Sequence, residues 1–157
     1  HLWIRRQRQM CIRDRCDIAV SLDNIKLALT EAKLGLIPAT ISPYVILKVG
    51  SSNAIDMFTS ARTFSPQEGQ KIGLIKSFTT SDKIDDTITN EILPFLKNAP
   101  AALSASKKLV RNLSVKIDEN TIRFTVKALA DVWENPEAIE GINAFFEKRK
   151  PNWLMEK

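Results

Sequence analysis

From Ser81 to the C-terminus the chain is written in helical periods, and before Ser81 it is not. Ile84, Ile88 and Ile92 recur four apart. Leu103, Ser106, Val110 and Leu113 make a second stripe, Ile122, Val126, Leu129 and Trp133 a third, and Ile139, Ile142 and Phe146 a fourth. Spacings of three and four put each set on one helix face. Asn98-Ala99-Pro100 and Asn135-Pro136 punctuate the run. Upstream the pattern is short and mixed. Ile18, Val20 and Leu22 alternate with smaller or polar neighbours, which predicts a strand. Asp23-Asn24 signals a turn, and Leu27 and Leu29 predict a second short strand that ends at Thr30-Glu31. The expected fold class is therefore α/β: a mixed region over 16–80, then an all-helical region over 81–157.

Within the mixed region the caps are legible. Thr40 or Ser42 could cap a helix with Pro43 in its first turn, running to about Lys48 with Gly50 as its stop. Ser51 or Ser52 would cap the next helix, through about Arg62. Ser65-Pro66-Gln67-Glu68 combines a serine cap, a proline at the first helical position and the glutamate of a capping box. That helix should stop near Gly73, with a short strand over Leu74 to Phe78.

Size and charge narrow the function classes. A chain of 157 residues with 44% apolar content matches one ordinary domain with enough material for a core. No apolar run approaches the roughly 18 residues of a membrane helix, and no hydrophobic signal segment follows the N-terminal arginines. Cys11 and Cys16 stand close together, and the single histidine is His1, so neither a zinc site nor a disulfide framework is expected. A reducing cytoplasm is the default location. The formal charge is +5. Arg5, Arg6, Arg8, Arg13 and Arg15 against Asp14 account for +4 of it, which leaves +1 for all the rest. A basic arm can bind phosphates, but a near-neutral body argues against a nucleic-acid partner.

The chemistry concentrates at Glu31. It stands at the edge of an apolar, proline-punctuated turn, beside Leu34, Leu36 and Ile37. Partial desolvation there would raise its pKa toward neutrality, where a carboxylate can both take and give a proton.

This same stretch, Glu31-x-x-Leu34-Gly35-x-Ile37-Pro38, resembles the active-site signature of the enoyl-CoA hydratase/isomerase (crotonase) family. Cys16-Asp17-Ile18-Ala19-Val20 resembles the strand that precedes it in the family. Ala61-Arg62-Thr63-Phe64-Ser65 and Ile72-Gly73-Leu74-Ile75 resemble later landmarks. Phe145-Phe146-Glu147-Lys148-Arg149-Lys150-Pro151-Asn152-Trp153 resembles the end of a full-length member. The resemblance implies a partial ββα superhelix core over 16–80, followed by a C-terminal helical oligomerisation region over 81–157. It covers roughly the second half of a typical member. A piece of that kind should expose broad apolar surface.

The resemblance also implies a reaction. The substrate would be an enoyl-CoA thioester, hydrated across its α,β double bond, with isomerisation as the alternative. Glu31 matches the family's second catalytic glutamate. Thr30 and Ala39 match positions flanking the acyl pocket. Phe145 and Lys148 match positions that reach the CoA nucleotide, often across a subunit boundary. The family's first glutamate falls at Cys11, and an oxyanion-hole glycine falls near Arg8, with the other oxyanion donor in the half not covered. The chain alone is therefore expected to be inactive. No metal and no separate cofactor is expected, since coenzyme A is part of the substrate. The expected partner is a second copy of the chain, as a trimer or dimer of trimers at full length; a non-catalytic oligomerising fragment is a competing reading. Pro38-Ala39-Thr40-Ile41-Ser42-Pro43-Tyr44 replaces the family's usual glycine-rich turn and resembles the methylglutaconyl-CoA or carboxygeranoyl-type branch. Residues 1–15 hold no glycine where the family has a glycine-rich turn, and they are expected to be a non-native or truncated segment. Trp133 and Trp153 would be core or interface anchors, Glu147 a solvated carboxylate, and Tyr44 a hydroxyl near the cleft or a structural residue.

Overall fold

The computed structural model describes residues 16–114 and 116–154. The expectations for residues 1–15, Arg8 and Cys11 included, fall outside these described residues. The chain forms two compact units that interleave along the sequence. Of the described residues, one takes those up to Leu27 and those from Phe64 to Asp118, and the other takes Ala28–Thr63 and those from Glu119 on. The chain passes between them within two short strands, β2 (Leu27–Ala28) and β3 (Thr63–Phe64).

In the first unit, β1 (Val20–Leu22) pairs in parallel with β4 (Ser77–Thr79), Val20 opposite Ser77 and Leu22 opposite Thr79. Lys76 N–H to Ala19 O at 2.8 Å and Asp23 N–H to Thr79 O at 2.9 Å extend the ladder at both ends. The alternation along β1 is inverted from expectation. Ser21 is 7% exposed, while Val20 and Leu22 are only half-buried. The Ser21 hydroxyl is satisfied locally, donating to Leu22 O at 2.9 Å. A two-stranded ladder is marginal alone, and here it leans on α2 (Pro66–Lys71), which packs against β4. The start of α2 matches the sequence reading. Ser65 Oγ accepts the Glu68 N–H at 3.3 Å, and Pro66 occupies the first turn. Gly69 lies so close to Leu27 that a Cβ would come within 2.7 Å of its Cδ1.

The strand expected at Leu74–Phe78 lies later, at Ser77–Thr79. Leu74 and Ile75 are buried as core residues in the turn after α2, where their N–H groups bond to Gly69 O rather than to a ladder. Beyond β4 come α3 (Ile84–Leu96) and α4 (Pro100–Leu113), neither with a buried residue. Their apolar stripes run from half-buried to exposed: Ile84 and Leu103 are half-buried, Ile92 is 42% and Leu113 79% exposed.

The second unit is built on α1 (Ser42–Ser60), α5 (Glu119–Trp133) and α6 (Pro136–Phe146). Neither Thr40 nor Ser42 caps α1. Ile41 is the capping residue, and the Ser42 hydroxyl instead donates to Ala39 O at 2.9 Å. Gly50 breaks the helical path of α1 at φ 76°, ψ 164°, so the expected stop survives as a kink between two helical segments. Val45, Val49, Ala54 and Met57 form the buried side of α1. The third and fourth stripes are also largely uncovered: Phe146 is 77% exposed, and Trp133, like Trp153, is exposed rather than core. No helix among the described residues is long and apolar enough to cross a membrane.

Candidate active site

The residues singled out at the turn all belong to the second unit, and the backbone explains how they are held. Glu31 opens a single 3-10 turn, Glu31–Leu34, which Gly35 ends in the left-handed conformation at φ 68°. The Leu36 N–H returns to Glu31 O at 3.1 Å and closes the loop beneath it. A side chain at Gly35 would be strained by the positive φ, and its Cβ would also come within 2.6 Å of Glu137 O. Gly141 repeats the constraint from the other side, since its Cβ would lie 2.6 Å from both Leu34 C and Leu34 O. The turn and α6 thus meet backbone to backbone through two glycines. That contact fixes where Glu31 begins.

The Glu31 side chain is part-buried, and its Oε2 is sealed from solvent with no hydrogen-bond partner among the described residues. Leu36, five residues on, is buried, while Leu34 and Ile37 are half-buried. Burial pushes the carboxyl above the ordinary carboxylate range, and a hydrogen bond from its own backbone N–H opposes this in part. A buried, unanswered carboxylate oxygen is costly to keep. It is also what a proton-transfer group needs, an acceptor not already committed to a partner.

Thr30 is exposed, and its carbonyl accepts the Lys33 N–H at 3.1 Å while its side chain makes no cap. Ala39 is buried, with its N–H on Ile37 O at 2.9 Å. Thr30 and Glu31 therefore stand at the start of the 3-10 turn, and Ala39 stands in the next turn, which leads into α1. Phe145 and Lys148 lie elsewhere in the unit, at the C-terminal end of α6. Phe145 is 62% exposed and packs edge-on against Phe146. Lys148 is exposed. The same helix joins the two groups, because Gly141, which meets the turn, stands one helical turn before Phe145.

Glu147 is exposed, and its Oε2 also accepts from Arg149 Nε at 2.6 Å. Arg149 also forks onto Glu140, and the Asn152 N–H completes the cluster. Sequence reasoning missed this cluster. The available signal was faint: an acid on the last turns of α6 and an arginine nine residues on, which meet only because the chain turns back after Phe146. Lys48 is a second miss; its Nζ is buried in α1 without a hydrogen-bond partner among the described residues.

The family model described as enoyl-CoA hydratase/isomerase matches residues 12–156. A Thermus thermophilus protein carrying an enoyl-CoA hydratase name is 31% identical over 138 residues, which are 88% of this chain and 54% of that one. A carnitinyl-CoA dehydratase of Escherichia coli K12 is 28% identical over 142 residues, 87% of this chain and 54% of that one. The crystal structure of an enoyl-CoA hydratase from Mycobacterium avium superimposes with a TM-score of 0.80 at 31% identity, covering 92% of this chain and 57% of that chain. The chain spans about half the length of the curated relatives it matches.

Proposed function

The chain belongs to the enoyl-CoA hydratase/isomerase family and carries part of the crotonase-like α/β fold, and on that footing we propose that the protein, at its relatives' length, hydrates enoyl-CoA thioesters with Glu31 moving the protons. The observation that carries the reading is the sealed, unpartnered Oε2 of Glu31 on a turn fixed by two glycines. The relatives' names, hydratase and dehydratase, both describe water chemistry on a CoA thioester.

Two physical tasks divide the reaction. As water adds to the β-carbon, charge develops on the thioester oxygen, and backbone N–H donors must meet it. Losing one such donor typically costs on the order of 3 kcal/mol. Glu31 takes a proton from the attacking water and supports protonation of the α-carbon. Positioned acid–base help of this kind contributes about 10²–10⁴-fold. Thr30 and Ala39 would border the acyl group, and Phe145 and Lys148 the nucleotide. In this reading the oxyanion donors come from chain outside the described residues, so residues 16–154 alone do not turn over. The acyl group we favour is branched, of methylglutaconyl type, on the strength of Pro38-Ala39-Thr40-Ile41-Ser42-Pro43-Tyr44. The exposed apolar side chains of α3 to α6 support assembly with further copies.

The test is a hydration assay on a branched enoyl-CoA, run on this chain and on the protein expressed at its relatives' length from the native locus. The longer protein should turn over and this chain should not. A longer protein that leaves the thioester untouched would refute the reading.

A further inference from the structure

Lys148 adopts a left-handed backbone at φ 55°. It sits at the residue that ends α6 in a Schellman turn, with the Arg149 N–H on Ala144 O at 3.0 Å and the Lys148 N–H on Phe145 O at 3.3 Å. Glycine is the usual occupant of that position, because a Cβ crowds the following carbonyl. A lysine there is strained, and such strain persists only where the surroundings over-determine it.

The next residue supplies that determination. Arg149 forks onto both Glu140 oxygens, Nη1 to Oε1 at 2.5 Å and Nη2 to Oε2 at 2.8 Å. Its Nε donates to Glu147 at 2.6 Å, and its Nη1 also reaches Lys150 O at 3.2 Å. The Asn152 N–H donates to Glu140 Oε1 at 3.0 Å, so the chain on both sides of Arg149 is tied back to α6. A bidentate pair fixes the plane of the guanidinium as well as its position. Both carboxylates are committed to Arg149, and among the described residues Lys148 has no ion pair, so its ammonium is left exposed and un-neutralised.

We propose that Glu140 and Arg149 are positioning residues for the nucleotide end of the CoA thioester: by clamping the chain after α6 they hold Lys148 left-handed and present its ammonium to phosphate. This rests on the acyl-CoA reading above. The clamp should matter only for substrates that carry the nucleotide.

The experiment uses the protein expressed at its relatives' length and compares an enoyl-CoA with the matching enoyl-pantetheine thioester, which lacks the nucleotide. Glu140→Gln removes the ion pair with little change of shape. Its KM for the CoA ester should rise about tenfold, with kcat unchanged and kcat/KM for the pantetheine ester within about twofold of wild type. Arg149→Lys keeps the charge but loses the fork, and should give the same CoA-selective rise even if Glu140→Gln fails to fold. Lys148→Gly should weaken CoA-ester binding while raising the melting temperature, because it relieves the left-handed strain. Equal losses on both esters, or an unchanged KM for the CoA ester, would overturn the clamp and leave the acyl-CoA reading standing. A wild-type protein that turns over neither ester would overturn that reading and the clamp with it.

Discussion

At Glu31 the burial that suits a proton-handling group works against folding. Its folded pKa lies above the unfolded value, because desolvation disfavours the charged form. The folded state therefore binds this proton more tightly than the unfolded chain. The penalty is absent below the ordinary carboxylate pKa, grows as pH rises through the raised value, and is constant above it. Glu31→Gln should thus stabilise the chain near pH 7, because it removes the desolvated charge. The gain should vanish at about pH 3, below the ordinary glutamate value. Denaturant melts of both proteins at the two pH values check this, and a variant less stable at neutral pH would contradict it. Glu140 runs the other way. Its hydrogen bonds from Arg149 hold its carboxyl below the ordinary range, so the hold on the chain after α6 is present at neutral pH and is lost as acid protonates Glu140. Glu31 was legible because its apolar neighbours are adjacent in sequence. Glu140 and Arg149 were not, because the chain reversal that joins them depends on a lysine in a conformation that sequence assigns to glycine.

Among the elements, the contact between the Glu31 turn and α6 decides whether the carboxylate is held. Gly141→Ala would push a methyl into the Leu34 backbone, which cannot rotate away. The expected cost is about 1–3 kcal/mol, the range for overpacking, together with a displaced turn. Gly69→Ala crowds the tip of the Leu27 side chain, which can swing aside, and meets Ile75 only at ordinary contact distance, so its cost should fall below about 1 kcal/mol. Equal destabilisation of the two variants in denaturant melts would contradict a rigid turn-to-helix contact. The capping grammar of Ser65-Pro66-Gln67-Glu68 was readable because a cap is a local hydrogen bond. The stop at Gly50 was readable for a related reason, since only glycine enters φ 76° without strain. The position of β4 was not readable. Leu74 and Ile75 carry a strand's apolar character but spend it on the core, and the ladder takes up Ser77–Thr79 instead, a choice made by the partner strand rather than by the segment.

For the whole molecule, the helical stripes were visible in the sequence, but where they point was not. Periodicity marks one face of a helix as apolar and says nothing about what covers it. In this chain Leu96, Leu113 and Phe146 remain largely exposed, as expected of a chain about half as long as its relatives. The family assignment stands on the match over residues 12–156, and the candidate site on the turn and its neighbours; the activity is proposed for the protein at its relatives' length. Glu31 is the single carboxylate proposed to move the protons. The measurement that bears on it most directly is Glu31→Gln in the protein at its relatives' length, with turnover of an enoyl-CoA and binding of that thioester measured side by side. Turnover should fall by about 10²–10⁴-fold while binding stays close to wild type. Turnover equal to wild type would contradict the account.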